Sequence, residues 1–163
     1  EKPPEIQVRR LTYSGKAEWI VRGSSDSKLN AYPSPDSNGI MQVFVIDPNG
    51  YDLSGDEKMK SRQLTAFASS SSAPRWHPTK NWIFDIVNGN IAATCAETGE
   101  YFGKTIMLNS DDQVRGELVV SNDGNTLAYT IFKPENENSV KKFRQIFVME
   151  LDWKEIINTI KLE

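Results

Sequence analysis

The side chains that could take part in acid, base or nucleophilic chemistry are few and far apart in this sequence. His77 is the only histidine and Cys95 the only cysteine, and no Gly-x-Ser-x-Gly segment supplies a nucleophile. His77 belongs to a polar turn between two tryptophans, "WHPTKNW", and Cys95 lies in the run "AATCA" with no basic neighbour to lower its pKa. We therefore interpret His77 as a turn residue and Cys95 as a core residue, and predict no catalytic and no cofactor-binding residues.

Three acidic segments are the candidates for a metal site. They are Asp111-Asp112, residues 36–39 ("DSNG") and residues 123–125 ("DGN"), where carboxylates and amides lie near or beside glycine as in some calcium sites. Calcium binding is one interpretation of these segments. None, however, has the twelve-residue loop that ends in glutamate, and Asp-Gly and Asn-Gly pairs are typical turn formers. We favour turns, and predict no metal ligands and no cofactor.

Composition indicates one globular domain. The chain has 163 residues, of which 38% are hydrophobic and 25% charged, so it can bury a core. The net charge of −3 comes from 19 basic and 22 acidic residues that are intermixed, and nucleic acid is therefore not a predicted partner. No apolar run approaches the roughly 20 residues of a membrane-spanning helix, so no membrane span is predicted.

A polar turn occurs three times along the chain. "RRLTY" at 9–13 reappears as "RQLTA" at 62–66, and the same spacing carries "SSDSKLNAY" at 24–32 onto "HPTKNWIFD" at 77–85. A third copy, "SNDGNTLAY", occupies 121–129. A fixed spacing of this length is the signature of a repeat architecture.

Each copy of the turn is followed by a short run of β-branched and aromatic residues. These runs are "QVFVIDPNG" from Gln42, "NIAATCAETG" from Asn90 and "QIFVMELDW" from Gln145. Runs of this kind that end in turn formers predict hairpins. Four antiparallel strands repeated at roughly 40 to 55 residues describe a β-propeller blade, with Trp76 and Trp82 buried between neighbouring blades. We therefore predict an all-β fold of about three four-stranded blades in an incomplete ring.

These segments resemble the TolB-type propeller repeat. That repeat reads approximately Trp-Ser-Pro-Asp-Gly, an Ile-Ala-Phe-like strand, Gln-Ile-Tyr-Val-Met-Asp and Arg-Gln-Leu-Thr, and "WHPTKNWIFDI", "SNDGNTLAYTI", "QIFVMELD" and "RQLT" are similar to it. The resemblance implies a toroidal scaffold found in periplasmic envelope proteins and beside hydrolases. It brings no catalytic motif to this chain. A periplasmic or extracellular location is the corresponding expectation, and the opening Glu-Lys-Pro-Pro in place of Met is compatible with export.

The repeat predicts how residues 1–163 divide as a single propeller segment. We place blades at 14–67, 68–110 and 114–163, with 6–13 as the closing strand of a preceding blade. Residues 33–41, 51–60 and 133–143 are rich in Pro, Gly, Asn and charge, and are predicted surface loops.

The segment "DWKEIINTIKL" at 152–162 is ambiguous. Asp152 and Glu155 form a capping box, and helical spacing is followed by Trp153, Ile156, Ile157 and Ile160. We favour the closing strand of the third blade, preceded by one helical turn, because tertiary context often overrides local signals.

Two functions fit this organisation. The first is a non-catalytic propeller scaffold or protein-binding module within a larger protein or complex, whose partner is another protein or the remaining blades of the same propeller. The second is the propeller portion of an enzyme, either peptidase-gating or carbohydrate-processing, whose catalytic residues lie outside this chain. We favour the first.

Overall fold

The computed structural model describes residues 8, 10–12, 20–48, 61–71 and 74–162, which fold into three antiparallel sheets and one helix. The first sheet consists of β1 (Arg22–Gly23), β2 (Asn30–Pro35), β3 (Met41–Ile46) and β4 (Arg62–Gln63). The second consists of β5 (Arg75–Trp76), β6 (Trp82–Val87), β7 (Asn90–Cys95) and β8 (Thr105–Met107). The third consists of β9 (Arg115–Val120), β10 (Thr126–Pro134) and β11 (Lys142–Glu150), and α1 (Trp153–Leu162) follows it.

The strand order is sequential within every sheet. Each strand therefore pairs with its neighbour in the chain, as in hairpin-built propeller blades. The prediction of an all-β fold made of antiparallel propeller sheets is confirmed. The third sheet differs from the other two, because only three strands are present in it among the described residues.

The three polar turns each join the first two strands of a sheet. Ser24 and Ser121 each accept the N–H of the residue five positions later. Asp26 and Asp123 each accept the N–H of the residue two positions later, and also a hydrogen bond from the neighbouring serine hydroxyl. These side chains satisfy the N–H groups that a tight reversal removes from the ladder.

Two predicted loops are shorter than the sequence indicated. The first hairpin keeps residues 33–35 in β2 and Met41 in β3, so only residues 36–40 turn; the Asp36 side chain accepts the N–H groups of Asn38 and Ile40 there. The third hairpin continues its strands to Pro134 and from Lys142, which leaves residues 135–141 as the loop. Cross-strand pairing overrides the low strand propensity of these residues. The predicted loop at 51–60 lies outside the described residues.

The prediction of a closing strand at 152–162 is wrong. Residues 153–162 form α1, which begins where Asp152 accepts the N–H of Glu155 as its N-cap. The Trp153 indole donates to the carbonyl of Gly124 at 2.9 Å, and Ile156 and Ile160 are buried. The local capping and spacing signals prevail because the apolar side of the helix finds a buried surface.

Two apolar clusters hold the sheets together. The first lies between the first and second sheets and contains Ala31, Val43, Val45, Leu64, Ile83 and Ala96. The second lies between the second sheet, the third sheet and α1, and includes Trp82, Phe84, Leu127, Tyr129, Ile156 and Ile160. The predicted burial of Trp82 is confirmed, whereas Trp76 is half-buried against the first cluster and its indole donates to the Arg22 carbonyl.

The blade bounds at 14–67, 68–110 and 114–163 stay a prediction. Of the predicted closing strand at 6–13, only residues 8 and 10–12 are described, and none of them is in a strand; the others lie outside the described residues. Among the described residues, no helix has both the length and the apolar character needed to cross a bilayer.

Candidate interaction surface

His77 is buried in the second polar turn. Its ring accepts the N–H groups that a serine and an aspartate accept in the first and third turns. Its Nδ1 accepts the N–H groups of Thr79 and Lys80, both at 3.0 Å. The ring packs edge-on against Trp153 at 4.8 Å between centroids, and its Nε2 is buried against Gly124. Burial, and then the charge of Lys80, lower the pKa of His77. The neutral ring is a structural element of this turn, in agreement with the interpretation from sequence.

Cys95 and the acidic segments are likewise accounted for by packing and turns. Cys95 is buried in the cluster between the second and third sheets, and burial raises the pKa of its thiol. Asp111 pairs with Arg115 at 2.7 Å, and this hydrogen bond is the main cause that lowers the pKa of Asp111 to about 2. Asp36 and Asp123 accept N–H groups of their own turns. In the described ranges, no group of three or more His, Cys, Asp or Glu side chains is placed to hold a metal ion.

The third sheet exposes an apolar surface on the side away from the second sheet. We call this surface the outer face. It is formed by alternate residues of three paired strands, with Val119 opposite Ala128, Ala128 opposite Val148, and Thr130 opposite Ile146. Its large exposed apolar members are Val119, Phe132, Ile146 and Val148. Contiguous exposed apolar surface of this kind marks sites of protein contact.

The repeat shows what the outer face corresponds to in the other sheets. Aligning Gln42 with Gln145 places Val43 on Ile146 and Val45 on Val148. Val43 and Val45 are 0% and 2% exposed because the second sheet covers them, whereas Ile146 and Val148 are 77% and 67% exposed. The corresponding residues of β7 are also buried, beneath the third sheet and α1. Positions that the following sheet covers in the first two sheets are thus uncovered in the third.

One end of the outer face carries opposite charges. Arg144 lies over the Phe132 ring at 5.3 Å and pairs with Glu117 at 3.4 Å. Glu117 adopts a positive φ of 53°, next to a register shift in the pairing of β9 with β10. A bulge of this kind re-aims a side chain. Because both charged side chains are exposed, the pair contributes little to stability and is available to a partner.

The residues of the outer face could not be identified from the sequence. Alternation along "RQIFVME" is the available signal, but the same alternation occurs in "MQVFVID", whose corresponding residues are buried. Exposure here depends on which sheet follows, and no local pattern contains that information.

Comparison with known proteins supports the fold. No family model matches the chain. YidR, an uncharacterized protein of Escherichia coli strain K12, is 26% identical over 136 residues, and the match covers 78% of this chain and 31% of YidR. The crystal structure of the tricorn protease is similar with a TM-score of 0.60 and 12% identity, over 82% of this chain and 12% of that one. The chain therefore spans about a third of YidR and a smaller share of the protease, and at 12% identity the likeness to the protease shows a propeller-like fold alone.

Proposed function

We propose that this chain is a non-catalytic propeller module of the TolB type, whose outer face packs against a further propeller sheet of a larger protein or complex. The observation that carries the proposal is the exposure of Ile146 and Val148 at positions that are covered in the two preceding sheets. A sheet with the apolar spacing of this chain's own repeat would cover them in the same way. A periplasmic or extracellular location stays a prediction from the sequence resemblance.

The energetics favour such a partner. Covering one large apolar side chain contributes about 1.5–3 kcal/mol, so the outer face offers several kcal/mol of driving force. Interfaces also gain selectivity from charges at their rim, and the Arg144 and Glu117 pair lies at one end of the face. A partner sheet could carry one acidic and one basic side chain at that end. The acidic side chain would then pair with Arg144 and the basic one with Glu117 across the interface.

The enzymatic alternative places the catalytic residues outside this chain. Within the described residues, His77 uses its Nδ1 for backbone N–H groups and is almost completely buried, so it is not arranged as a base beside a nucleophile. The name of the tricorn protease describes that protein, and a likeness of fold at 12% identity does not extend proteolysis to this chain.

Site-specific photocrosslinking tests the proposal directly. A photoreactive amino acid at position 148, in the protein made in its own cells, should form adducts with peptides that have the alternating apolar pattern of a propeller strand. The matched control is position 140, a valine that is 98% exposed in the third hairpin loop, off the outer face. Adducts from position 148 that contain only lipid, or that match those from position 140, would overturn the proposal.

A further inference from the structure

The fourth strand of the first sheet is held by a side-chain clasp as well as by the ladder. Gln42 is fully buried at the start of β3, and its Oε1 accepts the Thr65 hydroxyl and the Phe67 N–H, both at 2.9 Å. Thr65 Oγ1 accepts the Val43 N–H at 2.9 Å. The amide of β3 thus recognises a threonine in the closing segment and the N–H two residues after it.

The second sheet repeats the clasp with different side chains. Asn90 takes the place of Gln42, and its Oδ1 accepts the Asn109 side-chain amide and the Asp111 N–H. The Asn109 Oδ1 accepts the Ile91 N–H at 2.9 Å. Three corresponding hydrogen bonds therefore join the third strand to the closing segment in both four-stranded sheets.

The third sheet has a side-chain amide at the position of Gln42, but no closing segment among the described residues for that amide to bind. Gln145 takes the place of Gln42, and its Nε2 donates to the carbonyls of Lys133 and Pro134 in its own hairpin. Its Oε1 makes no hydrogen bond within the described part of the chain. By the same register, the N–H of Ile146 faces the outer edge of β11, as the N–H of Val43 does in β3. Since α1 leads the chain away, no described residue closes this edge.

We propose that the outer edge of β11 is a strand-accepting site, and that its occupant is the segment at residues 9–12 of a second copy of this chain. The segment "RRLT" matches the "RQLT" that closes the first sheet, and the match places Thr12 on Thr65. Thr12 would donate its hydroxyl to Gln145 Oε1 and accept the Ile146 N–H. An exposed strand edge is a template for such pairing, and main-chain hydrogen bonds supply its affinity.

The donor segment lies outside the three sheets. Val8 is 89% exposed, and Val8, Leu11 and Thr12 belong to no strand of the described structure. The inference rests on the propeller module proposed above, because it takes the closing rule of the first two sheets to hold for the third. It concerns the edge of the third sheet, whereas the proposed partner sheet covers its outer face.

A synthetic peptide of residues 6–14, IQVRRLTYS, tests recognition by this edge. The receptor is the full chain with Thr12→Val, so that its own threonine does not compete. We expect binding by fluorescence anisotropy that weakens about tenfold with valine at the peptide's Thr12 or with Gln145→Met in the receptor, as loss of the clasp predicts. The control receptor Gln113→Met should bind like its parent. Absence of binding, or binding that ignores both changes, overturns the proposal.

Self-association of the full chain tests the second copy as the occupant. Light scattering should show association of the wild type that weakens in Thr12→Val and in Gln145→Met. An equimolar mixture of the two variants should recover association, because the intact segment of one inserts at the intact edge of the other. A monomeric wild type, or association unchanged in both variants, overturns the proposal. If position 148 still crosslinks to a propeller strand in that case, the proposed propeller module is supported and only the contact at the edge of β11 is rejected.

Discussion

At the scale of single residues, the three polar turns solve one problem with different side chains. The first and third use a serine and an aspartate to satisfy the N–H groups of the reversal. The second uses the Nδ1 of His77 alone. The larger ring also fills space between the second turn, Trp153 and the backbone of Gly124. A turn residue has thereby become part of the contact between the second and third sheets.

Gly124 is the residue that this packing constrains most. A Cβ at Gly124 would lie 2.0 Å from Nε2 of His77, whereas a Cβ at Gly39 would meet nothing within 4 Å, and both glycines have φ near +80°. We expect Gly39→Ala to cost about 1–2 kcal/mol of unfolding free energy from backbone strain, and Gly124→Ala about 1–3 kcal/mol beyond that from overlap. Urea melts provide the measurement. Adding Gly124→Ala to a His77→Ser background should cost only the strain, and equal losses in all three comparisons would contradict the packing.

The buried neutral ring of His77 also makes stability depend on pH. Burial lowers its pKa in the folded chain below the ordinary value of 6.5, so the unfolded state binds more protons near and below that pH. The contribution of the neutral ring is therefore complete above about 6.5 and is lost as the pH falls towards the folded pKa. His77→Asn keeps an acceptor for the turn and does not titrate in this range.

We expect the free energy of unfolding of the wild type to fall between about pH 7.5 and about pH 5.5 by more than that of His77→Asn. Urea melts of both proteins at each pH isolate the difference. The Asp111 carboxylate, with its pKa at about 2, stays ionised throughout this range and contributes no slope. Identical slopes for the two proteins would mean that folding leaves the pKa of the ring unchanged.

At the scale of elements, hairpins could be predicted from the sequence and closing elements could not. A hairpin depends on turn formers and alternation within about 20 residues, and the copies at 24–32, 77–85 and 121–129 provide both. The helix at 153–162 had equally good local signals in Asp152 and the isoleucine spacing. What decides in its favour is burial of Ile156 and Ile160 against Trp82 and Cys95, more than 50 residues earlier in the chain.

The clasp was also beyond prediction from the sequence. Gln42 and Thr65 are 23 residues apart, and their contact depends on the register of two paired strands. The sequence showed the glutamines that begin "QVFV" and "QIFV" and the segment "RQLT" as features of a family resemblance. It gave no physical reason why those residues occur there. The structure supplies the reason, because the Gln42 amide accepts the Thr65 hydroxyl and thereby joins the closing segment to β3.

Thr65 should therefore be a larger contributor to stability than its size indicates. Thr65→Val removes a hydroxyl but keeps the shape, and it leaves the buried Gln42 Oε1 and the Val43 N–H without this partner. We expect a loss of about 1–3 kcal/mol in the free energy of unfolding. Thr98→Val is the matched control, since Thr98 is an exposed threonine between β7 and β8 and the same change there should have almost no effect. Equal effects of the two substitutions in urea melts would show that the clasp does not stabilise the first sheet.

At the scale of the whole molecule, the described chain is a stack of three sheets with one uncovered side. Each of the two contacts between sheets has its own apolar cluster, and α1 extends the second of them. Among the described residues, five of the eleven large exposed apolar side chains lie in strands of the third sheet, so exposure is concentrated there. Propellers contain about four to eight such sheets around an axis, and a stack of three therefore has room for more.

The last prediction concerns this uncovered side. The chain alone should bind a hydrophobic fluorescent dye and should associate in solution, because apolar surface of this extent is otherwise left in water. Replacing both Ile146 and Val148 by lysine should reduce dye binding without lowering the free energy of unfolding, since both side chains are exposed. Val140→Lys, in the third hairpin loop, should change neither quantity.

The variants also separate the two contacts that could cause association. Association through the outer face should be lost in the double lysine variant and retained in Thr12→Val. Association through the edge of β11 should be lost in Thr12→Val and retained in the double lysine variant. A cooperatively folded wild type that is monomeric by light scattering and binds no dye would show that three sheets suffice, and the larger propeller would have to be abandoned.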